Sequence, residues 1–93
     1  MEKNAEYKIN FTKKALKHLD KISKNKILTK KVGALLNQIA VFGPEVFPPK
    51  FEKLQGDYKE FYSRRITDKD RLVYKVENDT IIVYSLLTHY EDL

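Results

Sequence analysis

The apolar residues of this chain pass from helical to strand period at Gly43-Pro44, and that change dictates a mixed fold of two layers. Before it, Ala15, Leu16, Leu19 and Ile22, and then Leu28, Val32, Leu35, Leu36 and Ile39, recur at helical intervals. Ser23 to Lys26 interrupts the pattern, which predicts two antiparallel helices joined by a short turn. Thr12 is placed to cap the first helix, and Gly43 and Pro44 cannot continue the second. After the change, Tyr58 to Ile66, Arg71 to Val76 and Thr80 to Leu87 are rich in aromatic and β-branched residues. Polar turns at Thr67 to Lys69 and Glu77 to Asp79 separate them, so they read as an antiparallel meander. Tyr7, Ile9 and Phe11 alternate with polar residues, as a half-buried strand requires. The sum is an α+β fold: one N-terminal strand and two antiparallel helices, packed on an antiparallel sheet that the C-terminal meander completes. Pro44, Pro48 and Pro49 make the connection an irregular loop.

With 93 residues there is room for one hydrophobic core, and residues 1–93 are expected to form a single domain. The absence of cysteine excludes disulfides, thiolate catalysis and cysteine-ligated metals, and a reducing cytoplasm is the simplest home. The longest apolar run, Ile81 to Leu87, is far short of a membrane span, so no membrane is expected as a partner. The net charge is +5, which makes a polyanion the first partner to consider. It is unevenly spread: residues 1–50 carry 11 lysines against 4 acidic residues, whereas residues 51–93 carry 7 basic against 9 acidic. All the arginines, Arg64, Arg65 and Arg71, fall in that acidic half.

Strand arithmetic brings some of these residues together. A turn centred near Asp68 sets Arg65 opposite Arg71, and like charges so placed are destabilising unless an anion lies near them. A second turn centred between Asn78 and Asp79 sets Arg71 opposite Leu86 and carries His89 and Tyr90 toward the same end of the sheet. Two guanidiniums can hold a phosphate and stabilise the added charge of its transition state, and a histidine can protonate a leaving oxygen. Tyr90 offers a ring for base stacking. His18, between Lys17 and Leu19 on the first helix, is a poor candidate for the second histidine of a nuclease pair, and a carboxylate is the alternative base. The bland alternative for Arg71 is a surface ion pair with Asp68 or Asp70.

The run Phe61-Tyr62-Ser63-Arg64-Arg65-Ile66-Thr67-Asp68-Lys69-Asp70-Arg71-Leu72-Val73-Tyr74, followed by Thr88-His89-Tyr90, resembles the YoeB/Txe toxins of the RelE superfamily. The close match runs from Glu52 to Tyr90, and the helical half is similar in topology and lysine content. The resemblance implies a type II toxin–antitoxin system toxin. It would be a ribosome-dependent endoribonuclease that cuts mRNA in the A site by 2′-OH attack, with neither metal nor cofactor. Carried over by position, the catalytic glutamate falls on Glu52 as general base. Arg71 would stabilise the transition state, with Arg65 as a phosphate contact, His89 as general acid and Tyr90 as the aromatic partner. The implied partners are the ribosome with its mRNA and a YefM/Axe-like antitoxin through which DNA is bound, and homodimers are common among relatives. Phe51 and Lys53 replace the prolines that flank the glutamate in close relatives, and Asp70 replaces a histidine. Glu91, Asp92 and Leu93 follow the His-Tyr pair, and the two carboxylates should favour the charged form of His89 and repel a phosphate backbone.

Lys13, Lys14, Lys17, Lys21, Lys24, Lys26, Lys30 and Lys31 are opposed within that stretch by Asp20 alone. A solvated helix face is the ordinary reading of such a run, and contact with ribosomal RNA is the functional one. Arg64 points away from Arg65 and is assigned a structural or antitoxin-facing place. Two further readings stay open: a toxin of the same superfold that binds a protein target, as the ParE-like toxins do, and an RNA-binding module without chemistry.

Overall fold

The computed structural model describes residues 6–47 and 50–88. In chain order the elements are β1 (Lys8–Phe11), α1 (Lys13–Ile22), α2 (Lys26–Phe42), β2 (Glu52–Lys53), a 3-10 turn (Gly56–Tyr58), β3 (Phe61–Arg65), β4 (Arg71–Glu77) and β5 (Thr80–Thr88). The helices begin and end where short polar side chains satisfy the free backbone groups. Thr12 Oγ1 accepts from the Ala15 amide at 3.1 Å, and Asn25 Oδ1 accepts from the Leu28 amide at 3.0 Å. Such caps contribute about 1 kcal/mol each. Gly43 ends α2 at φ 101°, a left-handed backbone conformation that favours glycine. Leu16 departs from the expected apolar stripe and is 53% exposed, because the buried side of α1 runs through Ala15 and Ile22 with Leu19 beside them.

The sheet order is β1-β5-β4-β3-β2. It is not wholly antiparallel: β1 runs parallel to β5, from Lys8 opposite Thr80 to Phe11 opposite Val83. A parallel pair needs a long crossover, and the helices supply it. β3 and β4 pair as the turn near Asp68 predicts, with Arg65 opposite Arg71. β4 and β5 start in the expected register, from Glu77 opposite Thr80, with Asn78 at φ 59° in the tight turn. Irregularities at Val73 then shift it, and Arg71 faces Thr88 rather than Leu86. β3 starts at Phe61 rather than Tyr58, since Gly56, at φ 67°, turns the chain between β2 and β3. β2 was not anticipated; its residues are both exposed and too few to show alternation.

Residues opposite each other in the ladder share a face. One face carries Tyr62, Arg64, Leu72, Tyr74, Ile81 and Val83 and packs beneath both helices. Ala15, Ile39, Ile66, Leu72, Tyr74, Ile81, Val83 and Leu86 have no exposed surface there. Each such aliphatic side chain contributes about 1.5–3 kcal/mol. The other face has no helix over it and carries Glu52, Ser63, Arg65 and Arg71.

Candidate active site

β2 decides where the carboxylate goes. Its pairing places Glu52 opposite Ser63, and Arg65 lies two residues further along β3 on the same face. Arg71 faces Arg65 across the next ladder. These side chains and Lys50 line one cleft of about 250 Å³. Arg65 and Arg71 therefore meet as the strand arithmetic predicted, and Glu52, which only the resemblance pointed to, lies in the same cleft. His89, Tyr90 and Glu91 to Leu93 lie outside the described residues; β5 can be followed to Thr88, the partner of Arg71.

The cleft is rich in positive charge that is left uncompensated. Asp68 lies 3.8 Å from Arg65, but the two side chains are 100% and 63% exposed, and such a pair contributes at most about 1 kcal/mol. Asp70 is engaged with its own turn: its carboxylate accepts from the Thr67 hydroxyl at 3.3 Å, and its carbonyl accepts from the amides of Ile66 and Thr67. Among the described residues no carboxylate pairs with Arg71, so the ion pairs with Asp68 or Asp70 do not form. Among the described residues, Arg71 Nε is buried without a hydrogen-bond partner, as are the hydroxyls of Ser63 and Ser85, which flank Val73 in one row of the ladder. A guanidinium N–H kept from water and offered nothing by the protein favours an incoming acceptor. Two arginines and a lysine around a single carboxylate suit a phosphodiester, with the carboxylate free to take a proton.

Sequence reasoning did not foresee what holds β2 in place. Arg64 is 1% exposed and structural. Its Nε donates to the Tyr74 hydroxyl at 2.7 Å, and its Nη2 donates to the carbonyls of Pro44 and Val46 at 2.9 and 2.8 Å. The guanidinium also lies 5.3 Å from the Phe51 ring, next to Glu52 in the chain. Tyr74 donates to the Pro44 carbonyl at 2.7 Å, and burial raises the pKa of its hydroxyl against the lowering effect of Arg64. Tyr62 donates to Glu45 at 2.8 Å, and burial, with that bond and the Glu45 charge, pushes its pKa up to about 12. The strict alternation of β3 was the available signal: it sends Arg64 inward wherever Arg65 points outward.

Lys13, Lys14, Lys17, Lys21, Lys24, Lys26, Lys30 and Lys31 are all exposed. Lys24 lies 3.9 Å from Asp20, and Lys14 sits 5.2 Å from the centre of the Tyr84 ring. Among the described residues no three His, Asp or Glu side chains gather as metal ligands would, and no helix is long and apolar enough to cross a membrane.

Residues 11–90 match the YoeB-like toxins of bacterial type II toxin–antitoxin systems. The chain belongs to that family. Toxin YoeB of Streptomyces coelicolor is 38% identical over 63 residues, which is 68% of this chain and 74% of that protein. YoeB in the YoeB-YefM complex from Staphylococcus aureus superposes with a TM-score of 0.80 at 33% identity, covering 97% of this chain and 100% of its own. The YoeB dimer from the same species gives a TM-score of 0.82 at 34% identity, over 92% and 100% of the two chains. This YoeB-like toxin has the expected RelE-like fold, and ribosome-dependent cleavage of mRNA is the activity known for YoeB.

Proposed function

We propose that this toxin is a metal-independent endoribonuclease that cuts mRNA in the ribosomal A site. The observation that carries the reading is the cleft itself, in which Glu52 stands beside Arg65 and an Arg71 whose Nε has no partner among the described residues. Glu52 takes the proton from the ribose 2′-OH, and the 2′-oxygen attacks the adjacent phosphorus. Arg65 and Arg71 hold the phosphate and stabilise the charge that grows on its oxygens. His89 gives a proton to the departing 5′-oxygen as the P–O5′ bond breaks, and Tyr90 stacks on a base. The products are a 2′,3′-cyclic phosphate and a 5′-hydroxyl, so protons and charge balance without a metal. A cleft this shallow positions its substrate poorly, and the lysines of α1 and α2 on ribosomal RNA supply the missing orientation.

A YefM-like antitoxin is the partner that silences the toxin, and the excess of lysine suits an acidic antitoxin segment that folds as it binds. Pairing of two copies follows the YoeB dimer of Staphylococcus aureus. The test is primer extension on a defined mRNA, with and without programmed ribosomes. Cleavage at the A-site codon that requires ribosomes is expected. A folded toxin that leaves ribosome-bound mRNA intact would return the protein to the target-binding or RNA-binding readings.

A further inference from the structure

We propose that His18 is a positioning residue: it holds the end of β5 against α1 and so sets where Thr88 stands opposite Arg71. The inference rests on the cleft described above as the reacting site.

The backbone of β5 makes such a hold necessary. β1 covers the outer edge of β5 only as far as Val83, the partner of Phe11, and beyond that point β5 has no neighbouring strand on that side. Unpaired amides and carbonyls at a partly buried strand edge need other partners. α1 provides them. The Thr12 amide donates to the Val83 carbonyl at 3.1 Å, and the Thr12 hydroxyl donates to the Tyr84 carbonyl at 2.8 Å. Further along α1, His18 Nδ1 accepts from the amides of both Leu86 and Leu87, at 3.0 and 3.2 Å. These residues immediately precede Thr88, and this is the stretch in which the β4–β5 register shifts. A bulged strand end is otherwise free to slide, and Arg71 faces it.

Two donors converging on Nδ1 require that atom to be unprotonated, with the ring proton on Nε2. An imidazolium would set an N–H against two others. Burial, Lys14 and Lys21 of α1 lower the His18 pKa below 6.5, while Asp70, in the turn before β4, opposes them. The fold thus favours the neutral ring. The hold is complete above about pH 6.5 and is lost as the pH falls below that value through the lowered one.

The test compares the wild-type toxin with His18→Asn and His18→Ala. Asn Oδ1 stands as many bonds from the backbone as His Nδ1, accepts hydrogen bonds and does not titrate. Three readouts are followed between pH 5 and 7.5: exchange protection of the Leu86 and Leu87 amides, the Arg71 Nε–Hε resonance, and single-turnover cleavage on programmed ribosomes. In the wild type, protection should fall below about pH 6.5 together with a shift of the Arg71 resonance. His18→Asn should keep protection, resonance and rate down to lower pH, so its rate profile should lack the part of the acid limb that His18 contributes in the wild type. His18→Ala should lose protection at every pH and cleave roughly tenfold to a hundredfold more slowly, with its apparent affinity for ribosomes unchanged. An acid limb in His18→Asn identical to the wild type, or an Arg71 resonance that does not respond to His18→Ala, would overturn the proposal. Should His18→Ala fail to fold, the wild-type and His18→Asn profiles still decide it. Should no protein cleave, the nuclease reading fails while protection and the Arg71 resonance still decide the role of His18.

Discussion

Arg64 and Arg65 are neighbours in the chain and lie on opposite faces of β3, and the two faces treat a guanidinium in opposite ways. Beneath the helices, Arg64 is fully engaged by oxygen acceptors: the Tyr74 hydroxyl and the carbonyls of Pro44 and Val46. On the open face, Arg65 faces Arg71 across the ladder, and the Arg71 Nε has no partner among the described residues although it is buried. Satisfied polar groups rigidify a core, whereas unsatisfied ones store affinity for a ligand. The inner face therefore holds the loop that leads to Glu52, and the outer face gathers Glu52 with the charges of Arg65 and Arg71.

Substitutions on the two faces should separate activity from stability. The largest effect belongs to the open face. Glu52→Ala and Arg71→Ala should each lower the cleavage rate by roughly 10²–10³-fold. Their melting temperatures should stay level or rise, because Arg71→Ala removes a like-charge contact with Arg65. Ribosome-programmed cleavage and a thermal melt on the same samples check this, and a melting point that falls along with the activity would erase the distinction between the faces.

The inner face should behave in the opposite sense. Arg64→Ala leaves the carbonyls of Pro44 and Val46 without their donor and should cost about 3 kcal/mol, a drop in melting temperature on the order of 15 °C for a domain of this size. Arg64→Ala melting within a few degrees of the wild type would show that the loop is held by something else. Tyr62→Phe is the mildest of the set, at roughly 1 kcal/mol for the lost bond to Glu45. It also carries a pH signature. The folded pKa of Tyr62 is raised above its unfolded value, so its contribution is complete below about pH 10 and is lost as the pH rises toward about 12. Denaturant melts across that window should fall less steeply in Tyr62→Phe, with Tyr74, whose pKa is also raised, accounting for the slope that remains.

The legible parts of the molecule were those written in periodicity or in tight turns. The helical stripes through Val32, Leu35 and Ile39, the cap at Thr12 and the Arg65–Arg71 register all follow from local spacing. Pairing between distant segments did not, since alternation at Tyr7, Ile9 and Phe11 marks a strand without naming its partner or direction. The Arg71–Leu86 pairing failed because a bulge adds residues to one strand without disturbing its composition. Glu52 was legible only through the family resemblance, because an isolated exposed carboxylate after a proline-rich loop has no local signature. Arg64 and Tyr74 stand inside the run that carries the resemblance, but their partners, the carbonyls of Pro44 and Val46 and each other, are set by long-range packing that no spacing announces. His18 looked like one more polar residue on a lysine-rich helix, and only the β5 amides reveal what it holds.

The parallel pairing of β1 with β5 also sets an order of assembly. β5 is translated after the other strands yet occupies a place between β1 and β4, and the contact between Thr12 and Tyr84 closes over 72 positions. Ile81, Val83 and Leu86, three fully buried residues of the core, arrive with it. While that segment is still inside the exit tunnel, the helices have no finished sheet to pack on, and β4, which bears Arg71, lacks one of its two neighbours. A chain built in this order closes its sheet last, when β5 enters between β1 and β4 and brings the core residues that both helices pack on.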